Sequence, residues 1–137
     1  MRDGVPSGRD PGSRETAVAA ARAASEKQAE HIVVLDVHEL IVITDLFVIC
    51  SAASDRQVKT VVDEVEKALR ELGRRPVRRE GEQESRWVLL DYVDVVVHVF
   101  ADEEREFYDL ERLWRDAPRL AWDEDDGGVV ASAGSLD

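Results

Sequence analysis

A chain of 137 residues, 44% hydrophobic but only 6% aromatic, fits one domain with a modest, mainly aliphatic core and excludes two separate cores. Its longest apolar runs, such as residues 46–50 and 95–97, fall far short of the roughly 18 residues that a bilayer span needs, so a cytoplasmic protein with no membrane partner is expected. The formal charge is −12, and because residues 1–14 carry +1 and residues 118–137 carry −4, the middle of the chain holds −9. That balance is poor for neutralising nucleic-acid phosphates and suits a basic protein partner.

Residues 1–13 include Gly4, Pro6, Gly8, Pro11 and Gly12; they carry too little apolar surface to offset the entropy of ordering and read as a disordered arm. An Ala-rich helix is predicted over about residues 14–30, with Val18, Ala21, Ala24, Ala29 and Ile32 forming a thin packing stripe. Two β-like runs follow. Residues 32–36 make a short one, and residues 41–50 a long one, broken only by Thr44 and Asp45 and continuous enough for a strand covered on both faces. Ser54 and Gln57 have capping-box spacing. Val58, Val61, Val62, Val65, Ala68, Leu69 and Leu72 then recur three to four residues apart as far as Gly73, which predicts a helix over about 54–72.

Residues 86–100 read as two strands joined by a tight turn at Tyr92 and Val93. A two-residue hairpin there sets Asp91 opposite Asp94 and Trp87 opposite His98. Val88, Leu90, Val95, Val97 and Val99 then share an aliphatic face suited to helix cover. Trp87, Leu89, Asp91, Asp94, Val96, His98 and Phe100 share the other, where aromatic and aliphatic groups beside charge suit a protein-binding or self-association patch. A third helix is predicted from about Asp102 to before Pro118, docking through Phe107, Leu110, Leu113 and Trp114. Residues 118–137, with four consecutive acids from Asp123 to Asp126 and then Gly127 and Gly128, read as an acidic flexible tail, leaving residues 14–117 as the domain.

Catalytic chemistry finds little support. His31, His38 and His98 are dispersed, and the single cysteine, Cys50, permits no disulfide or cysteine-rich metal site. Gly81 is isolated, so there is no glycine-rich phosphate loop, and residues 50–53 lack the glycines of a nucleophile elbow. Asp91 and Asp94 invite a two-metal nucleotidyltransferase reading, but their spacing is not the i, i+2 pattern that puts two carboxylates on one strand face. An acidic turn, solvated or facing a basic partner, is the better expectation. No metal and no cofactor are expected.

A set of ordered motifs points to one family. The run LDV at 35–37, ITDLFVICS at 43–51 and SDRQ at 54–57 resembles the first half of the Iojap-like ribosomal silencing factors. EG at 80–81, WVLLD at 87–91, DVVVHVF at 94–100, REFY at 105–108 and LERLW at 110–114 resemble the second half. The resemblance spans about residues 17–117. It implies a non-enzymatic α/β protein with a mixed sheet, helices mainly on one face, and a nucleotidyltransferase-like fold without catalytic residues. It also implies docking on a ribosomal protein at the joining face of the large ribosomal subunit, steric exclusion of the small subunit, and lower translation when nutrients are short. The partner-contact residues expected are Trp87, Leu89, Tyr92, Asp94 and His98, with Tyr108 and Glu111 added from the family motif. The other readings are a homodimeric interaction module using the same sheet face and, least favoured, a metal-dependent nucleotidyltransferase. Leu46 stands where the family usually has an aromatic residue, and Val93 where it has glycine, so a positive φ at Val93 would cost roughly 1–3 kcal/mol.

Overall fold

A computed structural model describes residues 11–108, 112 and 115–123 of the chain. The elements are α1 (Pro11–Glu26), β1 (Glu30–Asp36), β2 (Leu46–Ala52), α2 (Asp55–Glu71), β3 (Arg78–Glu80), β4 (Trp87–Asp91), β5 (Val95–Ala101), α3 (Asp102–Tyr108) and β6 (Arg119–Leu120). The six strands form one mixed sheet in the order β3-β4-β5-β2-β1-β6, in which only β2 and β5 run parallel. That parallel pair needs a crossover, and α2 supplies it.

The two faces of the sheet divide the core. On one side, α1 and α2 cover Val34, Val48, Cys50, Val88, Leu90, Val95, Val97 and Val99. The aliphatic face expected for residues 88–99 is therefore the helix-covered one. Alanines dominate the contact surface of α1: Ala17, Ala20, Ala21 and Ala24 are buried, while Val18 is only half-buried, because small side chains let α1 approach the sheet closely. On the other side lies a smaller cluster of Leu35, Val37, Phe47, Ile49, Phe100 and Ala117, with Trp87, Val96, Val33 and Ile41 packed against it.

Local chemistry sets the element ends. Ser54 caps α2 by accepting a bond from the Gln57 backbone nitrogen at 3.1 Å, and the Gln57 side chain accepts from Ala53 nitrogen rather than from Ser54. At the other end Gly73 adopts φ +82, and bonds from Gly73 to the Arg70 carbonyl and from Arg74 to the Leu69 carbonyl complete a Schellman stop. Leu72, placed in the packing stripe by its spacing, lies beyond that last turn and is exposed.

Several sequence boundaries shift. Helix α1 begins at Pro11, so the last residues assigned to the N-terminal arm are helical and Ser13 is buried; it ends at Glu26 because Gln28 takes φ +68. β1 starts at Glu30 and carries an irregularity at His31 (φ +53). The long run 41–50 is a strand only from Leu46; residues before it form a loop closed by bonds from Ile41 to the Val37 carbonyl and from Val37 to the Asp45 carbonyl. β3, not anticipated, is three exposed charged residues held by backbone pairing to β4 and by ion pairs from Arg78 to Asp91 at 3.1 Å and from Arg79 to Glu66 at 2.6 Å. The boundary at 117 falls inside the sheet, since Arg119 and Leu120 pair with β1 and the Trp122 indole donates to the Ile32 carbonyl at 3.2 Å. Of the third predicted helix, Asp102–Tyr108 is helical; Leu110, Glu111, Leu113, Trp114 and the side chains of Phe107 and Tyr108 lie outside the described residues.

Candidate functional site

The hairpin register fixes which side chains reach the face not covered by α1 and α2. Trp87 lies opposite Phe100, Leu89 opposite His98 and Asp91 opposite Val96, and Tyr92 donates to the Val95 carbonyl across the turn. The expected pairing of Trp87 with His98 and Asp91 with Asp94 is thus displaced by two residues. An even displacement preserves side-chain parity, so the faces stand as assigned within the strands. The turn itself moves to Val93 and Asp94, and Val93 takes φ +79. The positive φ that glycine would adopt freely is borne here by a β-branched residue.

Three of the expected contact residues come together. The Trp87 ring stacks on Phe100 with centroids 4.8 Å apart, and its indole nitrogen donates to His98 Nδ1 at 3.2 Å. Leu89 and Val96 extend this group as half-buried aliphatic side chains. Phe47 meets the edge of His98 at 4.9 Å, anchoring the cluster to the central strand. His98 is not itself a surface group: only 6% of it is exposed, and burial pushes its pKa down to about 4, so it is neutral at physiological pH. It braces Trp87 from beneath.

Two expected contacts point elsewhere. Tyr92 belongs to the helix-covered core at 2% exposure, because it pairs with Val95 and so shares the face of Leu90; burial first, then Glu66, raises its hydroxyl pKa to about 12. Asp94 sits in the turn, 2.6 Å from Arg74, and accepts a bond from Ser13. Burial opposes its charge, but the Arg74 and Ser13 bonds outweigh that and hold its carboxyl below the usual range. Arg74 also reaches the Tyr92 carbonyl at 3.0 Å and Thr16 at 2.9 Å, tying α1, the end of α2 and the β4–β5 turn together. Tyr108 and Glu111 cannot be placed on the face, since the Tyr108 side chain and all of Glu111 lie outside the described residues.

The contributions of Phe47 and Arg74 were not singled out in the sequence. Phe47 was hidden in an unbroken apolar run, where nothing marks which side chain points to which face. Arg74 sits in a charged connector, and only the loop geometry gives it partners.

Chemically the site has little to offer beyond contact. Asp91 is engaged by Arg78 at 3.1 Å and by the Val93 backbone nitrogen, while Asp94 is engaged by Arg74, so each carboxylate already has its own cation. Among the described residues no group of three His, Cys, Asp or Glu is placed to hold a metal ion. Cys50 is fully buried, which pushes its thiol up to about 12 against the opposing pull of Arg105, so no reactive thiolate forms near neutral pH. Among the described residues no helix is long and apolar enough to cross a membrane.

Residues 10–135 match the family model described as "Ribosomal silencing factor during starvation". The chain is 44% identical over 101 residues to a ribosomal silencing factor of Halalkalibacterium halodurans, covering 74% of this chain and 86% of that one. It is 46% identical over 99 residues to the Bacillus subtilis counterpart, covering 72% and 84%. A crystal structure from Chromobacterium violaceum superposes with a TM-score of 0.71 at 35% identity, covering 74% of this chain and 84% of that one.

Proposed function

The chain belongs to the ribosomal silencing factor family, and from that membership together with the make-up of the sheet face that α1 and α2 do not cover we propose that it is a cytoplasmic translational repressor that works by contact. It docks on a ribosomal protein at the joining face of the large ribosomal subunit and, by its bulk, keeps the small subunit away. Translation is lowered when nutrients are scarce. No bond is made or broken in this mechanism; the protein acts as a wedge, and it is not an enzyme.

The observation that carries this reading is the Trp87, Leu89 and Val96 patch on the face opposite α1 and α2, in a chain of charge −12. A rigid aromatic group with two aliphatic neighbours supplies the desolvated centre of an interface, while the net negative charge of the chain favours approach of a basic partner. Ribosomal RNA fits less well, since an acidic domain gains little by approaching phosphates. The paired arginines on Asp91 and Asp94 weigh against the nucleotidyltransferase reading, because a metal ion would have to displace both.

The test is co-sedimentation of the full chain with separated ribosomal subunits across a salt series. The protein is expected to travel with the large subunit alone, to lose little binding as salt rises, and to reduce subunit joining in proportion to its occupancy. Co-sedimentation with neither subunit, or joining unchanged at saturating protein, would overturn the reading.

A further inference from the structure

Helix α2 and the loop from β3 to β4 enclose a cleft on the side of the sheet opposite the Trp87 ring. Its volume is about 340 Å³, at the lower end of the range for small-molecule sites. Lys59, Val62 and Asp63 form one wall, since positions i, i+3 and i+4 of a helix share a face. Glu82, Gln83 and Ser85 form the other. Val62 and Val88, both buried, make an apolar floor between the walls. The loop wall is held in shape by its own bonds: the Ser85 nitrogen donates to the Gly81 carbonyl at 3.0 Å, and the Ser85 hydroxyl donates to the Glu82 carbonyl at 3.0 Å. A wall arranged in advance lowers the ordering cost that a small ligand must meet.

The charges on the α2 wall are opposite in sign and unused. Lys59 and Asp63 stand one turn apart, with roughly 5–6 Å between their Cβ atoms, but lysine on the N-terminal side is the less favourable order for a helical ion pair. Neither makes an ion pair or a side-chain hydrogen bond among the described residues. The neighbouring acids differ: Glu66 and Glu82 are both taken by Arg79, at 2.6 and 3.5 Å. One cation and one anion therefore face the same small space, above an aliphatic floor.

That pattern is the complement of a zwitterion. We propose that the cleft binds a free α-amino acid with an apolar side chain, its carboxylate at Lys59, its ammonium group at Asp63 and its side chain resting on Val62 and Val88. A metal ion is a poorer occupant, because the Lys59 ammonium repels it and among the described residues no three His, Cys, Asp or Glu gather to hold one. A phosphate is poorer as well, since Asp63 and Glu82 oppose a second anion. An uncharged molecule would cover Lys59 and Asp63 and return nothing for the water they lose. The site stands independently of ribosome docking, because its residues belong to α2 and the β3–β4 loop, while the proposed docking patch lies on the other face of the sheet.

Isothermal titration calorimetry of the full chain tests this, with leucine as the probe and with isopentylamine and isocaproate, which are the same skeleton without the carboxylate and without the ammonium group. Leucine is expected to bind with a Kd of about 1 mM or tighter, and glycine and both one-charge analogues at least roughly tenfold more weakly. Lys59→Gln and Asp63→Asn should each weaken leucine binding roughly tenfold or more. The melting temperature without leucine should not change, because both side chains are exposed and unpaired. Both variants should sediment with the large subunit as the parent chain does. The calorimetry needs no ribosome, so failure of the docking reading would leave this proposal standing. Absence of heat at about 10 mM leucine, glycine or a one-charge analogue binding as tightly as leucine, or affinity unchanged in both variants would each overturn it. So would a chain that takes no leucine but loses large-subunit binding with Lys59→Gln or Asp63→Asn, since the cleft would then serve the ribosome.

Discussion

The Trp87 indole nitrogen donates to Nδ1 of His98, so the neutral ring must carry its proton on Nε2, a buried atom with no hydrogen-bond partner among the described residues. Protonating Nδ1 would break the bond to Trp87 and place a charge among Phe47, Trp87 and Phe100. The folded-state pKa of about 4 lies below the unfolded value of 6.5, so between them the unfolded chain binds more protons. Stability from this group is complete above about pH 6.5 and declines as pH falls toward 4, by up to about 3 kcal/mol. Thermal melting from pH 7.5 to 4.5 should show the decline, and His98→Gln should flatten it. An unchanged slope in that variant would assign the effect to another group.

Leu89→Glu places a charge on a half-buried side chain in the sheet face opposite α1 and α2. Large-subunit binding is expected to weaken by about 1.5–3 kcal/mol, roughly tenfold to a hundredfold, with circular dichroism preserved. Trp87→Ala should reduce both binding and melting temperature, because its ring also packs on Phe100. Equal binding by Leu89→Glu and the parent chain would remove this face from the interface.

Asp94 works inside the fold, bridging Arg74 and Ser13 at a partly buried position. Asp94→Ala is expected to cost about 1–3 kcal/mol of stability, since Arg74 and Ser13 lose their shared acceptor. Urea denaturation measures this, and large-subunit binding of the folded fraction should stay within about twofold.

Gly81 is required twice over: its φ is +82, and a Cβ there would sit 2.0 Å from the Trp87 carbonyl oxygen. Gly81→Ala should destabilise by about 2 kcal/mol or more and disturb the β3–β4 pairing that leads to Trp87. A melting temperature equal to that of the parent chain would show that the loop can yield.

Val93→Gly tests the opposite case. Relief of a strained β-branched residue at φ +79 is worth about 1–3 kcal/mol, against about 0.5–1 kcal/mol of added backbone entropy in the unfolded chain. A net gain of about 1 kcal/mol in urea denaturation is expected, and a loss would mean that the turn holds no strain.

Elements with strong local signals were readable from the sequence. The cap, the stripe and the glycine stop of α2 all act within a few residues of one another, and the alternation of residues 87–100 separated the sheet faces. What was misread depends on partners distant in the chain. Residues 41–45 have the composition of a strand but leave the sheet before it begins, which periodicity cannot reveal. Tyr92 looked like a surface aromatic because it was read as part of the turn, whereas moving the turn by one residue brings it into the pairing and onto the helix-covered face. His98 looked available because burial on a mixed face depends on Phe47, from a strand fifty residues earlier, filling the space around it. Asp94 resembled a contact residue until Arg74 was brought to it by the end of α2.

The two outermost strands carry a consequence for assembly. β3 is three charged residues and β6 only two residues long, so neither margin offers a length of unpaired backbone on which another chain could build. Open-ended polymerisation by strand addition is thereby denied. Whatever the protein associates with must be met by side chains, through contacts of fixed stoichiometry.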